Sequence, residues 1–342
     1  MKIKDILFEI KKYDFYKPFH ITNSISTSKD NIEITLITDT GITGKGEASS
    51  SFRVNGENVS ALYNSRDQII QLIKGMDVTN YRKIFNQIDK IGRTSPSLKA
   101  GVQFAVLDAL SNYLNFPVYK LLGGEKDHVV TDKTISIGTL EETLEEAEDL
   151  SKKGFRYVKM KVGEDIKSDI ERLTAVNEKF NFEGFIVDAN MGYSVKEAIT
   201  FSDAMYRESV PINVFEQPVH YSDFDGLKVI RYASRYPVGA DETIKTKYDA
   251  LRLIKDDCVD FINIKLMKSG VSDALSIIEI SRTANVSLMI GCMSESAIGV
   301  NQSVQLAAGT GAFAYCDLDS HLLLKECGEY KFKTVGDKLY PH

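Results

Sequence analysis

The sequence predicts an α/β fold in which a (β/α) TIM-type barrel follows an N-terminal α+β capping domain. The first observation is that short apolar segments alternate with helical segments throughout the second half of the 342-residue chain. The second is that polar residues close five of these segments at intervals of 24 to 28 residues, at Lys161, Asp188, Glu216, Asp241 and Lys265. A strand, a turn and a helix take about that many residues, and a parallel barrel places its catalytic groups at the C-terminal ends of its strands.

Eight strand segments can be identified in the barrel half, which is the number that a closed (β/α) barrel requires. They comprise residues 131–137, 156–162, 184–189, 212–217, 237–242, 260–266, 286–292 and 312–319. A capping box, with Ser194 at the cap position and Glu197 three residues later, predicts the start of one of the intervening helices. We therefore expect the barrel to occupy residues 125–321.

The first 124 residues predict the capping domain. Alternating apolar and polar residues indicate half-buried strands over residues 3–15 and 31–40, and three glycines within residues 40–49 indicate a turn and a bent strand. From residue 59 to residue 122 the apolar spacing becomes helical, most clearly in the segment LKAGVQFAVLDALSNYL. The C-terminal residues 322–342 are expected to return to the capping domain as one or two strands.

Composition excludes several classes of protein. The net charge is −6, and no stretch concentrates lysine and arginine, so nucleic acid is not the expected partner. The N-terminus lacks the apolar core of a signal peptide, and no apolar run approaches the roughly 18 residues of a membrane span. The four cysteines form no CxxC pair, which indicates buried free thiols in a reducing compartment. We expect a cytoplasmic homo-oligomer that binds neither membrane nor nucleic acid.

Three carboxylates predict a metal site. Asp188, Glu216 and Asp241 end three consecutive strands, each after a nearly uninterrupted apolar run. Any one of them alone is more typical of a helix N-cap or a solvated carboxylate, but three converging negative charges repel strongly unless a cation lies between them. Ligation by oxygen atoms alone favours Mg²⁺ over zinc. His220 lies on a nearby loop, and the sequence leaves open whether it contacts the metal or the substrate.

Lysines at two strand ends are candidates for moving a proton. Lys159 and Lys161 share the inward face of one strand, because residues i and i+2 of a strand point the same way. Taken alone, such a pair is more typical of lysines that extend from a strand end to solvent. Two neighbouring ammonium groups lower each other's pKa, so that one can act as a base near pH 7. Lys265 ends the sixth strand, which lies opposite the second in a ring of eight.

A second pair of carboxylates closes the last strand. Asp317 and Asp319 share a face by the same rule and point into the barrel mouth. They are either a polar strand end or a binding pair for an ammonium group, the natural partner of two acids that are not metal ligands.

Several of these motifs together resemble those of the dipeptide epimerases, in the muconate-lactonizing subgroup of the enolase superfamily. The shared motifs are KMK, DAN, EQP, ADE, INIKLMKSG, GCMSES and DLD, with GKGEA near Glu47 and PVYKLLGG before the barrel. The resemblance covers nearly the whole chain and implies an enolase-like fold. It also implies Mg²⁺-dependent 1,1-proton transfer, through an ene-diolate, at the α-carbon of the C-terminal residue of a dipeptide.

The resemblance also implies metal-binding, acid/base and substrate-binding roles for individual residues. It implies one Mg²⁺ per subunit on Asp188, Glu216 and Asp241, acid/base roles for Lys161 and Lys265, and a substrate ammonium on the last pair of carboxylates. The residues expected at the substrate-binding site are Lys159, Asp317, Asp319, Ser24, Met293, Glu295 and Lys268. Glu295 is expected to hold its neighbours in place rather than to contact the substrate.

One departure from the family pattern concerns specificity. In the epimerases that act on Ala-Glu, an arginine follows the KPF segment and meets the side-chain carboxylate of the substrate, whereas Ser24 stands there in this chain. The loop of residues 19–27 has no arginine or lysine, and an unpaired buried carboxylate is costly. We therefore expect dipeptides with a neutral second residue to be preferred, unless Arg53 reaches in from the loop of residues 50–58. The sequence does not identify the preferred side chains.

Other functions remain open on the sequence alone. An N-acylamino acid racemase or a muconate-type cycloisomerase of the same superfamily would use the same metal and lysines, but neither substrate has the free ammonium that the last carboxylate pair suits. A Schiff-base aldolase would use Lys161 or Lys265 without a metal. A non-catalytic scaffold is disfavoured because every expected catalytic residue is present.

Overall fold

The computed structural model describes residues 1–21, 24–91, 94–325, 327 and 330–342, without the side chains of Ile21 and Ser24. A three-stranded antiparallel sheet with helices precedes an eight-stranded parallel sheet that closes on itself. The predicted fold class is therefore confirmed. Within the described residues, none of the helices combines the length and the apolar character that crossing a bilayer requires.

The parallel sheet contains all eight predicted strands in sequential order. They are β5 Lys133–Ile135, β6 Tyr157–Lys161, β7 Gly184–Asp188, β8 Ile212–Glu216, β9 Val238–Ala240, β10 Phe261–Ile264, β11 Ser287–Gly291 and β12 Tyr315–Asp317. The first and last strands meet where Thr131 bridges Cys316 in parallel and where the Asp132 amide donates to the Cys316 carbonyl at 2.9 Å. This contact closes the sheet into a barrel.

Helices surround the barrel and bury their apolar faces against its strands. They are α7 Leu140–Lys152, α8 Ile166–Lys179, α9 Val195–Arg207, α10 Phe224–Ala233, α11 Lys247–Lys255, α12 Leu266–Ala284 and α13 Ala297–Thr310. The capping box predicted at Ser194 and Glu197 is present at the start of α9. Each helix starts just beyond a strand end, so the strand-end side chains lie at one mouth of the barrel.

The antiparallel sheet belongs to the N-terminal part and has the three predicted strands, β1 Ile3–Ile21, β2 Ser24–Thr38 and β3 Thr43–Ala48. Helices α1 Phe52–Asn55, α2 Val59–Asn64, α3 Arg66–Ile73, α4 Tyr81–Ile88, α5 Pro96–Leu114 and α6 Val118–Leu121 follow, with short 3₁₀ turns at Val78–Asn80 and Asp89–Ile91. β1 and β2 extend further than the alternating pattern predicts, as far as Ile21 in β1 and from Ser24 in β2.

The C-terminal segment differs in part from its prediction. Two strands form, β13 Phe332–Val335 and β14 Lys338–Pro341, but they pair with β4 Val129–Val130 at the entrance to the barrel rather than with the antiparallel sheet. Among the described residues, a short stretch before them joins β1, where Leu324 bridges Phe15, and Lys331 donates to Asp108 of α5 at 2.6 Å. The domain boundaries proposed from the sequence therefore stay a prediction.

Close contacts between backbones hold the N-terminal sheet against its longest helix. A Cβ atom at Gly46 would lie 2.0 Å from the Gly101 carbonyl oxygen, so only glycine permits β3 to approach α5 this closely. From the same helix, the Gln103 side chain accepts a hydrogen bond from the Val271 amide of α12 at 2.7 Å. The helix thus links the N-terminal sheet to the outer ring of the barrel.

Glu47 joins the sheet directly to the barrel. Its buried carboxylate, on β3, accepts hydrogen bonds from the Ser296 amide at 2.9 Å and from the Ser296 hydroxyl at the N-terminus of α13. Asn31 of β2 donates to the same carboxylate at 3.0 Å. Burial raises the pKa of Glu47 from 4.5 to about 7, although these hydrogen bonds lower it.

We predict that Glu47 makes the stability of the protein fall as pH rises from 4.5 to 7. Because its pKa is higher in the folded than in the unfolded chain, the folded state holds the proton more tightly and loses this advantage as the carboxyl ionises. Relative to Glu47→Gln, the wild type should lose about 3 kcal/mol of unfolding free energy across this window, measured by urea denaturation. Glu208→Gln, at the exposed C-terminal end of α9, is the control. Parallel pH profiles of the wild type and Glu47→Gln would contradict the prediction.

Candidate active site

Three carboxylates meet at the C-terminal ends of adjacent strands. Asp188 pairs in register with Glu216 where β7 meets β8, and Asp241 follows β9 next to them. All three side chains are buried, and their oxygen atoms lie within 4.8 Å of one another. Apolar side chains fill the barrel interior beneath them, from Ile186 and Val214 two residues earlier on the same strands. The carboxylates therefore face each other above a medium of low polarity.

The residues present fit a hard divalent cation. The set consists only of carboxylate oxygen atoms, which are the ligands that Mg²⁺ prefers. Glu216 Oε1 accepts a hydrogen bond from Asn263 at 2.6 Å. Within the described part of the chain the buried Oε2 atom accepts none, although Lys159 Nζ lies 2.8 Å away. Burial and, after it, the negative charge of Asp188 raise the pKa of Glu216 to about 7. A bound cation would reduce the repulsion among the three carboxylates and would give the Oε2 atom of Glu216 a partner.

Two lysines flank the carboxylates from opposite sides of the ring. Lys161 ends β6 and donates to Asp188 Oδ2 at 2.6 Å and to Asn190 Oδ1 at 3.1 Å. Lys265 follows β10, four strands away, and donates to Asp241 Oδ2 at 2.8 Å. Burial lowers the pKa of Lys265, but Asp241 and its neighbours outweigh this effect and hold it above its ordinary value. The two ammonium groups face one space from two sides.

Lys159 lies deeper than the sequence suggests. Its side chain is fully buried, and its ammonium lies 3.1 Å from Asp188, 2.8 Å from Glu216 and 2.7 Å from Asp317. The expectation that Lys159 and Lys161 lower each other's pKa is wrong for Lys159. Although burial lowers its pKa, the three surrounding carboxylates raise it well above the ordinary value. Lys159 is a fixed positive charge that links the triad of carboxylates to Asp317.

A cavity of about 390 Å³ opens above these groups. Lys161, Lys265, Asp317, Asp319 and Met293 all line it, so the structure brings these predicted residues together.

Three other predicted substrate-binding residues lie behind the cavity wall. Lys159, Lys268 and Glu295 are buried and do not line the cavity. Lys268 donates to Asp241, and Glu295 accepts from the Met293 amide at 2.9 Å and so fixes the loop that carries Met293. Their contacts support positioning roles rather than substrate contact. The side chain of Ser24 lies outside the described residues.

The last carboxylate pair is held by two separate contacts. Asp317 accepts from Lys159 at 2.7 Å, and Asp319 accepts from the Thr134 amide of β5 at 2.8 Å. Burial raises the pKa of both, but Lys159 and Lys265 outweigh this at Asp317 and lower its pKa. At Asp319 the effect of burial prevails, and the pKa is raised.

Sequence reasoning missed three polar residues of the site. Asn190 contacts Lys161 and donates to Glu242 Oε1 at 3.1 Å, and both Asn190 and Glu242 line the cavity. The i, i+2 rule could have identified Asn190 from Asp188, but Glu242 lies beyond its strand and gives no such signal. Asp132 is buried near the last carboxylate pair, with no hydrogen-bond partner for either oxygen among the described residues. His220 is exposed, bonds Ser222 and does not line the cavity.

Comparison with known proteins agrees with this geometry. Residues 7–123 match the model of the family "Mandelate racemase / muconate lactonizing enzyme, N-terminal domain", and residues 142–335 match "Enolase C-terminal domain-like". The L-Ala-D/L-Glu epimerase of Thermotoga maritima is 50% identical over 325 residues, which is 95% of this chain and 94% of that protein. The hydrophobic dipeptide epimerase of Enterococcus faecalis is 34% identical over 323 residues, covering 94% and 91% of the two chains.

Two solved structures resemble the chain closely. The substrate-liganded L-Ala-D/L-Glu epimerase of Bacillus subtilis superimposes with a TM-score of 0.97 and 29% identity, covering 100% of this chain and 97% of that one. The dipeptide epimerase of Enterococcus faecalis, complexed with Mg and the dipeptide L-Leu-L-Tyr, gives a TM-score of 0.95 and 32% identity, covering 100% and 98%. The chain belongs to the mandelate racemase / muconate lactonizing enzyme family of the enolase superfamily.

Proposed function

We propose that the protein is a Mg²⁺-dependent dipeptide epimerase. It inverts the configuration at the α-carbon of the C-terminal residue of a dipeptide by 1,1-proton transfer. The observation that carries the proposal is that Lys161 and Lys265 approach one triad of carboxylates from opposite strands. A proton can then leave one face of an α-carbon and return to the other. Relatives that are named dipeptide epimerases, across nearly the whole chain, support the same reaction.

Asp188, Glu216 and Asp241 would hold one Mg²⁺ per subunit. When bound, the ion supplies positive charge beside the substrate carboxylate and so reduces the cost of removing the adjacent α-proton. Asn263 and Lys268 keep two of these carboxylates in place, through Glu216 Oε1 and Asp241 Oδ1 respectively. Such support preserves the ligand geometry without touching the substrate.

The lysines would carry the proton. Lys161 serves one face of the α-carbon as base or acid, and Lys265 serves the other face in the complementary role. Asn190 and Asp188 fix the Lys161 ammonium through two hydrogen bonds, and Asp241 fixes that of Lys265. Both side chains are buried, which keeps bulk water away from the α-carbon while the proton is absent.

Asp317 and Asp319 would bind the α-ammonium of the dipeptide. Both line the cavity, and their contacts with Lys159 and with the Thr134 amide orient them. Anchoring the ammonium on this side leaves the substrate carboxylate to reach the triad across the cavity, so the α-carbon between them lies near the lysines. A cytoplasmic location and a homo-oligomeric assembly stay predictions of the sequence.

Dipeptides incubated with the enzyme in D₂O should acquire α-deuterium at the second residue, as seen by NMR. Chelation with EDTA should abolish exchange and Mg²⁺ should restore it, and Asp188→Asn or Asp241→Asn should lose at least about a hundredfold in rate, because the developing charge loses its counter-charge. Asp203→Asn, on the exposed face of α9, is the matched control. Full exchange after exhaustive chelation would contradict the metal assignment.

N-acetylation of the dipeptide should raise KM and lower kcat together, because the lost ammonium contact also orients the α-carbon. Asp319→Asn should weaken the use of free dipeptides more than that of acetylated ones. If the wild type used both forms equally well, an N-acylamino acid racemase would be the better assignment.

A further inference from the structure

The two lysines at the barrel mouth are held by their backbones in different ways. The helix α12 begins directly after Lys265, and the amide of Lys268 in its first turn donates to the Lys265 carbonyl oxygen at 2.9 Å. Lys161 instead ends β6 and is followed by a turn, in which Gly163 has a φ of 108°, before α8 begins at Ile166. The carbonyl oxygen of Lys161 therefore has no helical turn of its own to accept from.

A buried ion pair on α8 supports the turn after Lys161. Arg172 Nη2 donates to the Lys161 carbonyl oxygen at 2.9 Å and to Asp169 Oδ1 at 2.7 Å. Asp169 Oδ2 accepts from the Gly163 amide at 2.8 Å. Both members of the pair are only 1% exposed. The pair thus fixes the backbone on both sides of Val162, immediately beyond the strand.

Tyr193 connects this pair to the loop after β7. Its hydroxyl donates to Asp169 Oδ2 at 2.7 Å, and its ring packs against that of Phe215 with the centroids 6.3 Å apart. The same loop contains Asn190, whose side chain accepts from the Lys161 ammonium at 3.1 Å. The network therefore joins the backbone of the lysine to a partner of its side chain.

Stability alone does not account for this arrangement. A fully buried ion pair contributes little compared with apolar side chains of similar volume, because both charges lose their hydration. Among the described residues, Arg172 Nε and Nη1 have no hydrogen-bond partner, so the guanidinium is compensated only in part. What the pair does provide is a fixed backbone at Lys161, on which the position of its ammonium depends.

We propose that Arg172, together with Asp169 and Tyr193, is a positioning unit for Lys161 and not for Lys265. The inference rests on the proposed function, in which each lysine serves one face of the α-carbon. Arg172 does not line the cavity, so it acts on the reaction through Lys161. A misplacement of about 1 Å in a reacting group can cost about a hundredfold in rate. Loss of the unit should therefore slow only the epimer whose proton Lys161 removes.

The test removes both charges of the pair together. In Asp169→Asn/Arg172→Met, the asparagine can still accept from the Gly163 amide and no charge is left buried alone, but the Lys161 carbonyl loses its donor. Initial α-deuterium uptake in D₂O is followed separately for the two epimers of one dipeptide, and Lys161→Ala identifies the epimer that depends on this lysine. Exchange of that epimer should fall at least about tenfold, mainly through kcat, while exchange of the other stays within about threefold of the wild type.

Three further variants calibrate the result. Arg172→Lys keeps a donor and the charge beside Asp169, so it should recover much of the lost exchange. Tyr193→Phe removes a single hydrogen bond and leaves the ring in place, so it should slow the same epimer by a smaller factor. Arg231→Met is the matched control, because this arginine of α10 donates to Asp260, ahead of β10, at 2.9 Å. It should leave the ratio of the two exchange rates unchanged.

The outcomes separate the two proposals. If the wild type exchanges the α-proton of no dipeptide, or if Lys161→Ala slows both epimers alike, the two-base function fails and this inference fails with it. If Lys161→Ala is selective but the double variant slows both epimers equally or neither of them, the positioning role alone is refuted. Should the double variant not fold, Tyr193→Phe and Arg172→Lys decide by the same criterion, since a loss confined to one epimer supports the inference and an equal loss or none contradicts it.

Discussion

The balance of buried charge at the barrel mouth constrains everything else in this structure. Buried acidic and basic side chains lie next to one another there, above an apolar interior. In such a medium an unpaired charge costs several kcal/mol of folding free energy. Lys159 is central to this balance, since its ammonium lies within 3.1 Å of carboxylates from three different strands. The ends of the strands are thus held in register by electrostatics as well as by the sheet, and the acids stay close enough together to bind a divalent cation.

The N-terminal sheet completes the site by closing it. Glu47 attaches β3 to the start of α13, next to Glu295, whose pKa burial raises to about 8. Arg53 attaches the loop after β3 to Asn190, a contact of Lys161. The surface that selects the substrate is therefore tied to the groups that would transfer the proton.

Much of the fold could be predicted because each barrel strand carries its own signal. The apolar runs that end at Asp188 and Glu216 mark both the strand and its buried environment, and the period of two residues places Lys159 and Lys161 on the inner face. The depth of Lys159 could not be predicted, because it depends on carboxylates 29 to 158 residues away in the chain. Asp132 was missed for the same reason, since its place beside Asp317 depends on the contact between the first and last strands of the barrel.

Proton exchange by single-lysine variants is the direct test of whether Lys161 and Lys265 serve opposite faces of the α-carbon. Lys161→Ala and Lys265→Ala are each incubated with the two epimers of one dipeptide in D₂O, and α-deuterium is followed by NMR. Each variant should fail to interconvert the epimers, yet exchange the α-proton of one epimer only, with opposite preferences in the two variants, because each lysine serves one face. If either variant still interconverts both epimers at a rate near that of the wild type, the two-base arrangement is wrong.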